Sequence, residues 1–534
     1  MLQETAIRES KMEWNGMDFK QFSEFREFIR RYNSTSVLEI GTKKCWQNWE
    51  VKYSSSLDWV LANTKRNYAI RIMLLASAGD PHRHENINTH IFDNLLNAYH
   101  NWNGHTISDE RILEEEEKVL LDSIKKWEVD RENVVRNWSL KLSEILDSRV
   151  VHAHIAGLFV QRLGAFQNAG FGHPVSRLSR TIKLIELLDK QSNKKISEVF
   201  LDHAGLSPTN YFRQFLACLA LFGGLSGKRG FCNFSRLPDI DNQLQKSGVT
   251  LENLKLFIQQ NSALFSAKTV SEKTDVSFRG KIIRTLEKIP EYYQPLFYNH
   301  FLEIPFVELG NKEFCLPDPF SFTESCWNQV RGLVSEGSYG EGLNHLLSRA
   351  FEDYLENVLF PFICPTSFER IPEVKNPSSS KDKRADFLVK TLNSYIVIEC
   401  KSCVMNSDTS AYFQANMVAD LWCRIHSAFE QIGITVEALN LRDKPVVPLI
   451  LTYYDSIAAS TVFEEMVKKT DYCSLIGLNM PPIVHSLHEF EHWTSDRSLS
   501  NWSELILAKQ NPYSSVKPDN RGHNYGHLSD ISIL

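Results

Sequence analysis

The sequence predicts two parts, an all-α region over residues 1–300 and an α/β domain over residues 301–534. Before residue 300, apolar residues recur at three- and four-residue steps, as in Leu178–Leu188, a spacing typical of amphipathic helices. After residue 300, short β-rich runs bounded by turn residues begin at Ile304–Leu309, Tyr395–Glu399 and Val446–Tyr454. Because 534 residues exceed what one hydrophobic core supports, a multidomain chain is expected.

Composition limits the classes of function and location. The net charge is −6, so no overall positive field attracts nucleic acid, and any such binding must use local patches. The first residues lack the apolar stretch of a secretory signal, and apolar runs such as Phe215–Phe222 are too short to span a membrane. Ten cysteines without a regular spacing indicate reduced thiols. A cytoplasmic protein is therefore expected.

The helical region contains two informative segments. Ile107–Val151 is rich in Glu, Lys, Leu and Trp at helical spacing. Ile196–Phe222 reads as helix, turn, helix, with Ser207 predicted to cap the second helix and Pro208 in its first turn. That second helix is apolar nearly all round, whereas a DNA-reading helix needs a polar face. A buried helix pair is the favoured interpretation, and DNA contact stays open as the alternative.

The segment Arg384–Lys401 predicts a β-hairpin that gathers charged side chains. Asn393-Ser394 is a plausible two-residue turn, and that turn sets Asp386 opposite Lys401. Since side chains alternate along a strand, Asp386, Glu399 and Lys401 share one face. The other face takes the side chains predicted to pack, Ile396, Ile398 and Cys400.

Two interpretations of these charges remain possible from the hairpin alone. Charges on an apolar strand are costly unless they are paired or bind a metal ion. Asp386, Glu399 and Lys401 are therefore either a cross-strand ion pair at a sheet edge or a functional site.

Asp386 followed by Glu399-Cys400-Lys401 resembles the signature of the PD-(D/E)XK, or restriction-endonuclease-like, nucleases. In that family a hairpin of a central mixed sheet presents the Asp and the E-x-K residues. The preceding helix often adds a glutamate; here the amphipathic segment Leu343–Leu359 offers Glu352, with Glu356 as the fallback. Ala385 replaces the proline of the literal motif, as in many divergent members of the family.

The resemblance extends to the segment after the hairpin. Several branches of the family carry a polar residue on the next helix, here predicted over Ala411–Ile432. Gln431 is the first candidate for that position and Gln414 the second. The strands at Val446–Tyr454 and Ile483–Leu487 would then extend the sheet.

The resemblance implies a Mg²⁺-dependent endonuclease, with Mn²⁺ as a substitute ion. Asp386, Glu399, the Cys400 carbonyl and Glu352 would hold the metal, Lys401 and Gln431 would complete the catalytic set, and the loop Lys375–Arg384 would touch phosphates. DNA is favoured over RNA, and the resemblance suggests a role in bacterial defence against phage or mobile elements. The helical region would sense a trigger, bind a protein partner or form a homo-oligomer, with no membrane involved. The alternative is a DNA-binding regulator or scaffold with a catalytically silent nuclease fold.

Overall fold

The computed structural model describes most of the two regions, with gaps. The described residues are 19, 21–50, 56–79, 82–107, 174–191, 195–225, 227–235, 237, 241–265, 276–278, 281–283, 299–302, 304–323, 325, 340–363, 368–372, 384–402, 415–453, 478, 482–487 and 490–491. Most of the segment 107–151, Gln414 and the loop 375–384 apart from Arg384 lie outside them.

The region before residue 300 is predominantly helical, as predicted. Its helices are α1 (Phe22–Ile29), α2 (Ser34–Glu50), α3 (Ser56–Ala76), α4 (Thr89–Ile107), α5 (Pro174–Gln191), α6 (Ile196–Ala204), α7 (Pro208–Ala220), α8 (Asp241–Lys246) and α9 (Leu251–Gln260). Helices α1 to α4 bury one core that includes Phe25, Leu38, Met73 and Phe92. None of the described helices is long and apolar enough to cross a membrane.

Strands also occur before residue 300, so the expectation of an all-α region was too strict. They are β1 (Phe231–Asn233), β2 (Ser262–Leu264), β3 (Val276–Phe278) and β4 (Lys281–Ile283). Strands β1 and β2 join β5 (Phe306–Gly310) and β6 (Glu313–Cys315) in one sheet of order β1-β6-β5-β2. Three-residue strands carry little periodicity, and this sheet is completed only by pairing across residue 300.

The predicted helix pair at 196–222 has the expected local chemistry. Ser207 caps α7 by accepting a hydrogen bond from the Asn210 amide at 3.4 Å, and Pro208 lies in the first turn. Tyr211, Phe212 and Phe215 are buried in the main core. The favoured interpretation, a buried pair, is therefore confirmed, since most of the second helix is not available to read base edges.

The C-terminal sheet is mixed and has five strands in the order β11-β10-β9-β8-β7. These strands are β7 (Phe368–Arg370), β8 (Phe387–Lys390), β9 (Tyr395–Lys401), β10 (Val446–Thr452) and β11 (Ile483–Ser486). Strand β8 is antiparallel to β7 and β9, whereas β10 is parallel to β9 and β11. The ends of β7 and β9 and the beginning of β8 therefore lie along one edge of the sheet.

Different helices cover the two faces of β9. The first is α10 (Gly340–Tyr354), which continues through a π-helical turn (Leu355–Leu359) into α11 (Phe360–Ile363). Phe351 and Tyr354 of α10 share a core with Ile396 and Ile398 of β9. The second is α12 (Ala415–Ala438), which packs on β9 and contacts Lys401 through Gln431.

Helix α5 connects the helical region to α10. Its Leu184 and Leu188 belong to the same core as Phe351. The buried Arg180 of α5 pairs with the buried Glu491, which also accepts a hydrogen bond from the Tyr354 hydroxyl. Because a buried charge is tolerated only when it is paired, these contacts hold α5 against the helix that carries Glu352.

Candidate functional site

The hairpin formed by β8 and β9 has the predicted faces but a different register. Lys390 lies opposite Tyr395 and Phe387 opposite Ile398, so the turn is Thr391–Ser394 rather than a two-residue turn. The Thr391 hydroxyl organises this longer turn, since it accepts a hydrogen bond from the Ser394 amide at 3.0 Å. The predicted pairing of Asp386 with Lys401 was therefore wrong. Because the shift is even, it leaves every side chain on its predicted face.

Asp386 lies just before β8 and is fixed by its backbone and its carboxylate. Its amide donates to the Ile398 carbonyl at 3.0 Å, and its Oδ2 accepts a hydrogen bond from the Cys400 amide at 2.7 Å. The preceding amide, of Ala385, donates to the Thr435 hydroxyl of α12 at 2.7 Å. These contacts orient the carboxylate toward the end of β9.

Glu399, Lys401 and Gln431 form a second set of contacts at the same edge. The Lys401 ammonium donates to Glu399 Oε1 and, at 3.0 Å, to Gln431 Oε1. Glu399 is only 3% exposed, and its Oε2 has no hydrogen-bond partner within the described ranges. A buried carboxylate oxygen without a donor is costly, so the ion pair with Lys401 leaves half of this group unsatisfied.

The electrostatics of the two carboxyl groups favour a missing cation. Burial raises the pKa of Glu399 well above its usual range, and the nearby Asp386 raises it further, against the opposing effect of Lys401. Burial also raises the pKa of Asp386, although the Cys400 amide and Lys401 oppose this. An additional positive charge at this edge would lower both pKa values.

Glu352 is close to the site but bound to a residue that the sequence did not indicate. Its Oε2 accepts a hydrogen bond from Arg370, the last residue of β7, at 2.5 Å, and Arg370 also binds Glu356 at 2.8 Å. Glu352 nevertheless contributes to the raised pKa of Glu399. Arg370 went unnoticed because β7 has only three residues and a strand partner that is distant in sequence.

Asp386 and Glu399 fit a divalent cation, whereas Glu352 does not complete a ligand set with them in this arrangement. Among the described residues, no three His, Cys, Asp or Glu side chains come together as a metal-binding group. The unpartnered Glu399 Oε2 beside Asp386 is the kind of oxygen that Mg²⁺ prefers. A role for the Cys400 carbonyl stays a prediction.

Replacing Thr435 with valine tests how α12 fixes the start of β8. Thr435 is fully buried, and its hydroxyl also donates to the Gln431 carbonyl at 2.7 Å. Valine keeps the shape but leaves the Ala385 amide without an acceptor, so we expect Thr435→Val to lower the free energy of unfolding by about 1–3 kcal/mol. Urea unfolding measures this change. Thr435→Ser, which keeps the hydroxyl, is the control, and equal losses in both variants would contradict the assignment.

Comparison with models of known protein families, with curated proteins and with solved structures finds no match to this chain. The class of protein must therefore be argued from the site.

Proposed function

We propose that this protein is a metal-dependent endonuclease with a restriction-endonuclease-like C-terminal domain that hydrolyses DNA phosphodiester bonds. One observation carries the proposal: Glu399 Oε2 is buried, lacks a hydrogen-bond donor among the described residues and lies beside Asp386. The mixed sheet, with a glutamate helix before the hairpin and a glutamine helix after it, supports the same class.

The proposed cofactor is Mg²⁺, with Mn²⁺ as a substitute. Asp386 and Glu399 would hold the ion, because hard divalent cations prefer carboxylate oxygens. Glu352 would contribute directly or through a water molecule. When bound, the ion supplies a lowered pKa for water and neutralises charge on the scissile phosphate.

The chain's own residues supply the remaining chemistry of the proposed reaction. Lys401 is only partly exposed, so its ammonium keeps much of its strength as a cation. It would orient the attacking water and stabilise the negative charge that develops on the phosphate. Gln431 holds the Lys401 ammonium from α12, which fixes this cation at the sheet edge. Burial of Glu399 restricts water at the same place.

The DNA substrate and a role in bacterial defence rest on the family resemblance. The contact between α5 and α10 is a route by which a partner, a second copy of the chain or a trigger bound to the helical region would affect the site. Fold resemblance by itself does not fix function, so the proposal depends on the following test.

Cleavage of plasmid DNA by the full-length protein tests the proposal. We expect nicked or linear DNA with Mg²⁺ or Mn²⁺, none with EDTA, and loss of cleavage in Asp386→Asn. The matched control is Glu369→Gln, since Glu369 is an exposed acid of the same sheet that pairs with Lys390 at 2.9 Å. An Asp386→Asn protein that cuts as fast as the control would contradict the proposed site, and RNA cleavage in place of DNA would correct the substrate.

A further inference from the structure

Arg370 binds three carboxylates from one face of a single helix. The Arg370 guanidinium lies 2.5 Å from Glu352 and 2.8 Å from Glu356, and 3.8 Å from Asp353. We call these four residues the arginine clasp. Its side chains are partly buried, between 17% and 33% exposed, so their charges are less screened than those of ordinary surface pairs.

The clasp lies at the edge of the sheet that carries the candidate site. Arg370 is paired with Phe387, the residue after Asp386, and its guanidinium lies 5.9 Å from the centre of the Phe387 ring. It also opposes the raised pKa of Asp386, so its charge reaches the site. Glu356 belongs to the π-helical turn after α10, a kind of turn that is frequent at functional sites.

A guanidinium suits this arrangement because its planar set of donors binds two carboxylates in fixed directions. Arg370 has no lone pair for a metal ion, so any influence on an ion acts through the acids that it holds. Hydrogen bonds to a ligating carboxylate orient it, and loss of such a partner typically weakens metal binding about 10–100-fold.

We infer that Arg370 is a positioning residue that fixes the Glu352 carboxylate for the metal ion, an inference that rests on the proposed function. Glu356 and Asp353 hold the guanidinium from its other side. Asp353 in turn accepts a hydrogen bond from Gln191 of α5, so the helical region also touches the clasp. Glu352 therefore has a defined position at the edge because four contacts restrain its partner.

Binding of Mn²⁺ by the full-length protein, measured by calorimetry, tests this role without requiring cleavage. We expect Arg370→Gln to raise the Mn²⁺ dissociation constant about 10–100-fold and Glu352→Gln to raise it as much. The double variant should be no weaker than Glu352→Gln alone, since Arg370 acts through Glu352. Cleavage by Arg370→Gln should recover in part at high Mn²⁺. The control is Lys390→Gln, a cation of the neighbouring strand with an exposed ion pair.

Three results would overturn the inference. Unchanged Mn²⁺ affinity in Arg370→Gln removes the role, tighter binding makes Arg370 a competitor of the ion, and additive losses in the double variant separate Arg370 from Glu352. If Arg370→Gln does not fold, Arg370→Lys replaces it; a lysine keeps the charge without the planar donors and should weaken binding to an intermediate extent. If instead Asp386→Asn binds Mn²⁺ like the wild type, the proposed function itself fails.

Discussion

Lys401→Ala is expected to reduce metal-dependent DNA cleavage about 10²–10³-fold, the usual effect of removing a preorganised group that stabilises transition-state charge. The ammonium donates to Glu399 and Gln431, so it is held at the edge before any substrate arrives. Its removal should leave Mn²⁺ binding intact, because an ammonium cannot ligate a metal ion. Single-turnover cleavage at saturating Mn²⁺, together with calorimetry, separates the two effects.

The matched control for this prediction is Lys390→Ala. Lys390 belongs to β8, the other strand of the hairpin, but is about half exposed and pairs only with Glu369 in the described structure. Its removal should change cleavage little, since exposed ion pairs contribute little energy. Equal cleavage rates in the two alanine variants would assign Lys401 to a structural ion pair, which is the alternative that the hairpin alone left open.

Glu399→Gln is expected to stabilise the metal-free protein near neutral pH. The pKa of Glu399 is raised well above the ordinary value of 4.5, first by burial and then by Asp386. An acid with a higher pKa in the folded than in the unfolded protein destabilises the fold once it is ionised. This penalty is absent at low pH, where both states are protonated, and grows as the pH rises from about 4.5 to the folded pKa.

Thermal unfolding in EDTA over a pH series measures the Glu399→Gln effect. Each unit of pKa shift corresponds to about 1.4 kcal/mol, so the glutamine variant should gain stability over the wild type as the pH rises. Glutamine keeps an oxygen that accepts the hydrogen bond of Lys401. With Mn²⁺ the order should reverse, since an ion at 100 times its dissociation constant adds about 2.7 kcal/mol to the wild type alone.

The control for the Glu399 prediction is Glu369→Gln, which alters an exposed acid of the same sheet. Its stability should follow that of the wild type with and without Mn²⁺. A Glu399→Gln protein whose stability difference does not change with pH would show that the ionised carboxylate carries no penalty. Mn²⁺ stabilising both proteins equally would remove Glu399 from the ion's ligands.

The sequence predicted the strands and helices of the candidate site closely. The strands at 395–401, 446–452 and 483–486 begin at the expected residues, and the helices around Glu352 and Gln431 lie over the expected segments. These elements are readable because alternation and helical spacing are local properties of the chain. The three-residue strands before residue 300 are too short to carry such a signal.

Alternation along β9 determined, from the sequence alone, that Asp386, Glu399 and Lys401 share a face. The tertiary structure decided what each of them contacts. A register shift of two residues keeps every face, so no hydrophobic pattern distinguishes it from the two-residue turn; the Thr391 hydrogen bonds do. The link between Glu352 and Arg370 likewise depends on a helix packing over a distant strand, because a contact between remote segments leaves no periodic trace in either.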